Sequence, residues 1–380
     1  MAFTLAAKRL ITAHAEIDQP LITIDGHHIV GLSSRPASPT TGPTHDFPDA
    51  TLTAGLFDIH MHGAVGHDVM EGTVEALGAV SKFLASHGIT QYLATTITAS
   101  MDLTLRALDG IARYIENAPA ADEARPVGIH IEGPFVSHVK RGMHPERFIV
   151  PPTPALLEKL WQAARGQIKL MTIAPEVPGA IETMKRAVEL GIRISIGHSN
   201  ATRAETLASI EAGAVSATHT YNAMRPLDHR EPGILGVVLD CEKLFAELIC
   251  DGVHVAPELV RLWLKAKGPQ RAILITDSLE AAGMPDGTYK LGETPVNVKD
   301  GRCLTDTGVL AGSIITLDQA VSRMQKFTGV ELGTAVRLAS HNPAAMLGRS
   351  NDLTIGAEAN LCIYDSSGKH IHTVLRGRLL

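Results

Sequence analysis

Eight short apolar runs alternate with helix-length segments along most of this chain, and this alternation restricts the possible folds more than any other feature. The runs lie near residues 52–60, 91–98, 127–132, 168–174, 192–197, 214–219, 244–250 and 272–277. The segments between them, with turn-forming residues at their borders, lie at 73–87, 102–117, 153–165, 179–190, 202–212 and 257–267. Eight such units predict an α/β fold, a (β/α)8 TIM-like barrel, with functional residues at the C-terminal strand ends.

An amphipathic helix is predicted after the eighth run. Its apolar residues recur at the spacing of one helix face, which is three or four positions apart. They are Leu317, Ala320, Val321, Met324 and Phe327.

Both ends of the chain depart from this alternation. Residues 21–24 and 27–32 flank an Asp-Gly turn and predict a β-hairpin, and residues 361–364 and 370–375 predict a second strand pair. The Pro, Ser, Thr and Gly cluster at 33–48 predicts a loop. We therefore expect a small β-sandwich domain built from 1–52 and 350–380, and a catalytic barrel from 53–349.

Histidines and acids stand where the apolar runs end. A strand directs residues i and i+2 to one face, so His60 and His62 can point at one place, as can His130 and Glu132. A lone histidine at a strand end is more often a hydrogen-bonded core residue than a ligand. Two further histidines, His198 and His219, close the fifth and sixth runs after Glu132, and together they favour a metal site.

The remaining polar strand ends leave alternatives open. Asp277 closes the eighth run, where a carboxylate could take a proton from a water activated by a metal, or could simply cap a turn. Arg230 follows the sixth run and could bind an anionic ligand or remain a solvated surface charge.

Composition excludes several functional classes. A net charge of −6 argues against a nucleic-acid surface. The four cysteines form neither a metal clip nor a disulfide framework, and the N-terminus is too polar for a signal peptide, so a cytoplasmic protein is expected. No apolar stretch approaches the roughly 20 residues of a membrane span.

The polar strand ends and their loops form an ordered set of motifs. In chain order they are His60-x-His62-Gly, His130-Ile-Glu132-Gly-Pro-Phe, Lys140-Arg-Gly-Met-His144, Gly197-His198-Ser-Asn-Ala, Thr218-His219-Thr-Tyr-Asn222-Ala-Met, Arg230-Glu-Pro-Gly, Asp251-Gly-Val-His254, Thr276-Asp277 and Leu310-Ala-Gly-Ser. The set spans nearly the whole chain and resembles the N-acetylglucosamine-6-phosphate deacetylase family of the amidohydrolase superfamily. Two positions depart from that family's pattern: Ala54-Gly55 replaces Pro-Gly, and Ser278 replaces Ala.

The resemblance implies roles for individual residues. It implies a divalent metal ion held by Glu132, His198 and His219, with Asp277 as catalytic acid and base. It implies that the substrate is a small amino-sugar phosphate, whose acetamide carbonyl His144 polarises. The implied substrate-binding residues are His144, Asn222, Ala223, Arg230, His254 and Leu310. A homodimer is implied too, in which Arg230 or His254 reaches the partner's site.

The first-strand histidines bear on the number of metal ions. Members of the family differ at this pair, and some lack both histidines and use one metal. One ion is expected here, and His60 and His62 leave room for a second, with Glu132 as a bridging ligand. Zinc or iron would suit these ligands, and the sequence does not distinguish them.

Two rival functions are weighed against the deacetylase. A dihydroorotase or other cyclic-amide hydrolase commonly has a carbamylated lysine at the end of strand four. Here that end is Ile173-Ala-Pro-Glu176, and Lys169 stands at the other end. A non-catalytic sugar-phosphate binding protein would not need Asp277.

Overall fold

The computed structural model describes residues 2–35, 42–117, 119–292 and 294–380. Its largest element is an eight-stranded sheet in which every neighbouring pair is parallel and the order follows the chain. We number these barrel strands 1 to 8: Leu56–Met61, Ile89–Thr96, Arg125–Glu132, Ile168–Ile173, Arg193–Ile196, Ala214–Ala217, Phe245–Ile249 and Ala272–Ile275. Each of the eight predicted runs overlaps one strand of this sheet, which confirms the α/β barrel.

Helices cover the outside of the barrel. They are Val74–Ser86, Met101–Glu116, Pro154–Ala163, Ala180–Glu189, Arg203–Glu211, Gly233–Asp240, Pro257–Lys267, Leu317–Thr328, Leu332–Ala339 and His341–Met346, with 3-10 turns at Val69–Glu71 and Glu146–Phe148. The stripe predicted for Leu317–Thr328 is buried except for Phe327, which packs partly against the core.

Strands from both termini come together in a separate sheet, as predicted, and that sheet has eight strands. They are Phe3–Ile11, Glu16–Asp18, Pro20–Asp25, His28–Ser34, Thr44–Ala54, Leu361–Tyr364, His370–Leu375 and Arg378–Leu379. One face of this sheet encloses its own apolar core, which includes Leu5, Ile22 and Leu361. The strand Thr44–Ala54 crosses the predicted domain boundary between residues 52 and 53.

Two details near that boundary correct the sequence prediction. The run at 52–60 is two strands, because Thr44–Ala54 belongs to the terminal sheet and barrel strand 1 begins at Leu56. The loop predicted at 33–48 is strand from Thr44 onwards. Pro48 fits there because the pairing with Phe3–Ile11 slips between the Ala7–Phe47 and Arg9–Thr51 pairs, and a bulge tolerates a residue without an N–H. Residues 36–41 of that loop lie outside the described residues.

Several elements had no clear signal in the sequence. The helix Gly233–Asp240 contains two glycines and two valines, so its helix propensity is low and its buried face must hold it. An antiparallel sheet of Gly287–Leu291, Thr294–Lys299 and Arg302–Thr305 follows barrel strand 8, and the short strands Gly63–Ala64 and His67–Asp68 follow barrel strand 1. Within the described ranges, no helix combines the length and apolarity that crossing a membrane requires.

Candidate metal centre

A cavity of about 230 Å³ opens at the C-terminal ends of the barrel strands. Ten of the twelve residues predicted for the site line it: His62, Glu132, His144, His198, His219, Asn222, Ala223, His254, Asp277 and Leu310. The other two are His60, which is fully buried, and Arg230, which lies exposed in a loop. The barrel thus brings together residues that are more than 200 positions apart in the sequence.

The backbone is in an unusual conformation where three of these side chains leave their strands. His198, His219 and Asp277 have φ angles of 47°, 28° and 50°. Non-glycine residues rarely adopt positive φ, and such strain persists where the surrounding structure holds it. At Asp277 the hold is visible, because its N–H donates to the carbonyl of His60 at 2.8 Å and joins the last strand to the first.

Glu132 is the centre of a first group of candidate ligands. Its Oε1 lies 3.0 Å from Nε2 of His219 and 3.2 Å from Nε2 of His198, and the two histidine nitrogens are 3.0 Å apart. Ligands about 2.0–2.1 Å from one tetrahedral ion lie roughly 3.3 Å from each other. The three donor atoms are therefore spaced as ligands of a single ion.

A second group shares Glu132 with the first. His62 Nε2 lies 3.3 Å from the other Glu132 oxygen and 3.1 Å from Asp277. His60 Nε2 lies 3.4 Å from Glu132 and 3.5 Å from Asp277, and it is buried with no hydrogen-bond partner among the described residues. Imidazole and carboxylate donors at these distances fit a divalent cation, and an unpartnered buried nitrogen fits the same interpretation.

Two of these imidazoles, those of His62 and His198, have acceptors on their far sides. Nδ1 of His62 donates to the carbonyl of Thr95 at 3.0 Å, and Nδ1 of His198 donates to the carbonyl of Lys140 at 3.0 Å. With Nδ1 donating, each ring directs Nε2 towards Glu132. Metal-binding histidines are oriented in this way.

Buried charges set the electrostatics of the centre. Burial alone would raise the pKa of Glu132, but His60, His198 and His219 hold that pKa well below its usual range. Burial would likewise raise the pKa of Asp277, and the neighbouring His60 and His62 instead lower it to about 2. Both carboxylates are therefore ionised at neutral pH and available to a cation.

Two further histidines of the cavity have contrasting partners. His144 is buried with Nδ1 2.6 Å from the Thr98 hydroxyl, and burial beside His198 keeps its pKa well below the usual range, so the ring is neutral. His254 has Nδ1 2.6 Å from Asp251. Burial opposes its protonation, but the bond to Asp251 prevails and raises the pKa of His254.

Two residues that support the site were not singled out from the sequence. Thr98 contacts His144, and Glu247 of barrel strand 7 contacts His60. A signal for Glu247 was present, since it is an acid within the otherwise apolar run Phe-Ala-Glu-Leu-Ile. His130 was expected to share a target with Glu132. Instead, it hydrogen-bonds Thr172 at 2.8 Å inside the barrel.

Comparison with known proteins identifies the family of this chain. Residues 51–380 match the sequence profile of the amidohydrolase family. The chain is 36% identical over 379 residues to N-acetylglucosamine-6-phosphate deacetylase of Bacillus subtilis (strain 168), which covers 97% of this chain and 95% of that protein. It is 34% identical to N-acetylgalactosamine-6-phosphate deacetylase of Escherichia coli O157:H7, over 100% of this chain and 99% of that protein.

A solved structure matches the whole chain as well. It is a variant of N-acetyl-D-glucosamine-6-phosphate deacetylase from Mycobacterium smegmatis in complex with N-acetyl-D-glucosamine-6-phosphate. The TM-score is 0.94 at 31% identity, and the match covers 100% of this chain and 99% of that one.

Proposed function

Because the chain belongs to the amidohydrolase family, and within it to the N-acetylglucosamine-6-phosphate deacetylases, we propose that it hydrolyses N-acetylglucosamine 6-phosphate to glucosamine 6-phosphate and acetate. The observation that carries this proposal is the convergence on Glu132 of two donor groups beside Asp277, at the wall of one cavity. Such a centre serves amide hydrolysis rather than binding alone.

The metal ligands proposed are Glu132, His198 and His219 for a first divalent ion, zinc or iron, and His60 and His62 for a second. A divalent ion in this family of metal-dependent hydrolases lowers the pKa of a water molecule and polarises a carbonyl oxygen. The donor distances support this assignment, since they match the edges of a tetrahedral coordination shell.

Asp277 is the proposed acid and base. Its carboxylate faces the cavity and is ionised at neutral pH, so it can accept the proton of the attacking water. The same proton then passes to the nitrogen of the acetamide as its bond to the carbonyl carbon breaks. The amine leaves neutral, and the acetic acid formed releases its remaining proton to solvent to give acetate.

His144 is proposed to orient the acetamide. We propose that the Thr98 hydroxyl donates to Nδ1 of His144, which leaves the proton of this neutral ring on Nε2. Nε2 lies 3.3 Å from His198, at the edge of the first donor group. A donor there stabilises the carbonyl oxygen as negative charge develops on it.

The sugar and its phosphate would be bound by other residues of the cavity. Asn222, Ala223, His254 and Leu310 line it, and the raised pKa of His254 favours a cationic ring that pairs with phosphate. Arg230 is proposed to complete the phosphate site from the partner in a homodimer, because it lies exposed on the loop after barrel strand 6.

The second candidate substrate is the 4-epimer, N-acetylgalactosamine 6-phosphate, because the chain is similar over its whole length to the Escherichia coli enzyme named for that compound. A cyclic-amide hydrolase is disfavoured. Lys169 lies towards the N-terminal end of barrel strand 4, with Nζ 3.3 Å from the carbonyl of Gly166 and away from the cavity.

The test is acetate release by metal-loaded protein, with metal analysis of the same sample. We expect a higher kcat/KM for N-acetylglucosamine 6-phosphate than for its 4-epimer, and little turnover of the unphosphorylated sugar. Preference for the 4-epimer would select the second candidate. Binding of either sugar phosphate without acetate release would contradict the proposed deacetylase activity and favour a non-catalytic binding protein.

A further inference from the structure

A buried carboxylate without a role in the proposed reaction lies directly behind His60. Glu247 is fully buried in the middle of barrel strand 7. Its Oε2 lies 3.3 Å from Nδ1 of His60. Its Oε1 accepts hydrogen bonds from the hydroxyls of Ser195 at 3.1 Å and Ser216 at 3.2 Å.

These contacts fix the orientation of the His60 ring. Because a carboxylate only accepts, Nδ1 of His60 must carry the proton that it donates to Glu247. The two serine hydroxyls hold the other oxygen, so the carboxylate cannot turn away. Nε2 of His60 is then directed at Glu132 and Asp277.

Glu247 differs from the groups behind the neighbouring imidazoles. His62 and His198 donate to neutral backbone carbonyls, whereas His60 donates to a charged side chain. A carboxylate behind a ligating imidazole increases the basicity of the nitrogen that binds the metal. Of these three histidines, His60 of the second donor group is therefore the one that a charged side chain orients.

The charge of the cluster favours the same interpretation. Glu132, Asp277 and Glu247 are three buried carboxylates whose described partners are imidazoles and hydroxyls. Buried carboxylates are costly without compensation, and a cation beside His60 would supply part of it.

We propose that Glu247 is the positioning residue of the second metal site, holding His60 so that an ion binds at His60, His62 and Asp277. The inference rests on the proposed function for the identity of the first site. What is new is that the occupancy of this second site depends on Glu247, a side chain that contacts neither the ion nor the substrate.

The test is equilibrium dialysis of metal-free protein against zinc at graded free concentrations. Wild type should bind two equivalents. Glu247→Gln should bind the first normally and the second 10–100-fold more weakly, in keeping with loss of a carboxylate behind a ligand. Ser216→Ala is the matched control, since it removes a neighbour of Glu247 but leaves the carboxylate, and its second site should change much less.

A double variant separates positioning from general damage to the barrel. His60→Ala should lose the second ion, and adding Glu247→Gln to it should lower zinc affinity no further. If Glu247→Gln does not fold, Glu247→Asp provides the same test, because it keeps the charge but withdraws it from His60.

Three outcomes would overturn the proposal. They are a single zinc equivalent in wild type, an unchanged second affinity in the Glu247 variants, or a further loss when Glu247→Gln is added to His60→Ala. Acetate release by wild type is measured alongside. Its presence with any of these outcomes removes the role of Glu247 and leaves the proposed function standing, whereas its absence removes the function.

Discussion

At the scale of single residues, the centre depends on side chains that leave their strands from strained backbone. His198, His219 and Asp277 all have positive φ angles, and each follows the last residue of a short parallel strand by two positions. The strain is retained because the barrel fixes both neighbours of each residue. The consequence is a set of donor atoms whose nearest pairs lie about 3 Å apart.

Asp277→Asn should separate chemistry from metal binding at the first donor group. The amide cannot accept the water's proton, so kcat should fall by about 10²- to 10⁴-fold. The zinc equivalent at Glu132, His198 and His219 should remain, because Asp277 is not part of that group. Steady-state kinetics and metal analysis of one preparation check both expectations. Turnover within a few-fold of wild type would contradict the acid and base role.

At the scale of elements, a single glycine separates the terminal sheet from barrel strand 1. Gly55 lies between the strands Thr44–Ala54 and Leu56–Met61, and its N–H donates to the carbonyl of Asn360. A Cβ at this position would collide with the side chain of Thr90. The chain therefore changes sheets where the next barrel strand leaves no room for a side chain.

Gly55→Ala should destabilise the protein by about 1–3 kcal/mol, the usual effect of overpacking a filled core. Urea unfolding of the metal-free protein measures it. Thr90→Ala removes two of the atoms nearest to the new Cβ and serves as the paired change. In the double variant we expect a smaller loss than the sum of the single variants. Additive losses would show that the contact with Thr90 is not the cause.

At the scale of the whole molecule, the question is whether Arg230 binds the phosphate, as proposed for a homodimer. Arg230→Ala should lower kcat/KM for the phosphorylated sugar on the order of a hundredfold, which is about 2.7 kcal/mol. It should matter little for the unphosphorylated sugar, because the lost contact is to the phosphate. Metal content should not change.

Arg106→Ala, which removes another exposed arginine from the helix Met101–Glu116, is the control and should leave both substrates unaffected. Light scattering should show a dimer for wild type. Equal losses on both sugars after Arg230→Ala would instead indicate a role of Arg230 in folding or in subunit contact.

Acid sensitivity is a second property of the whole molecule. Burial lowers the pKa of His341 to about 4, against the opposing pull of Asp352. The unfolded chain, with a pKa of 6.5, therefore binds more protons than the folded protein between these values. The free energy of unfolding should fall as pH decreases through this window, by at most about 1.4 kcal/mol per pH unit from this group.

His341→Gln should make that fall less steep. Urea midpoints of metal-free protein between pH 7 and pH 4.5 would measure it, with His229→Gln as the control because the His229 side chain is 74% exposed. If the two variants have the same pH dependence, His341 is not the group responsible.

The sequence alone determined the barrel and its functional end. Alternating apolar runs and helical segments are local patterns, and an i, i+2 pair such as His60 and His62 has a fixed relation on a strand. The ordered motifs indicated the family and the candidate ligands, which the barrel gathers around Glu132. The strand pair at Leu361–Tyr364 and His370–Leu375 was also readable from local pattern.

Only the tertiary structure determined which other side chains and elements contact those residues. The helix Gly233–Asp240 forms although its residues have low helix propensity. The terminal sheet ends at Ala54 because the next residue, Gly55, has no space for a side chain beside Thr90. Glu247 contacts His60 across 187 positions of sequence, and Thr98 contacts His144 across 46. Such contacts leave no periodic trace along the chain, because they depend on which barrel strands become neighbours and on which side chains then meet inside.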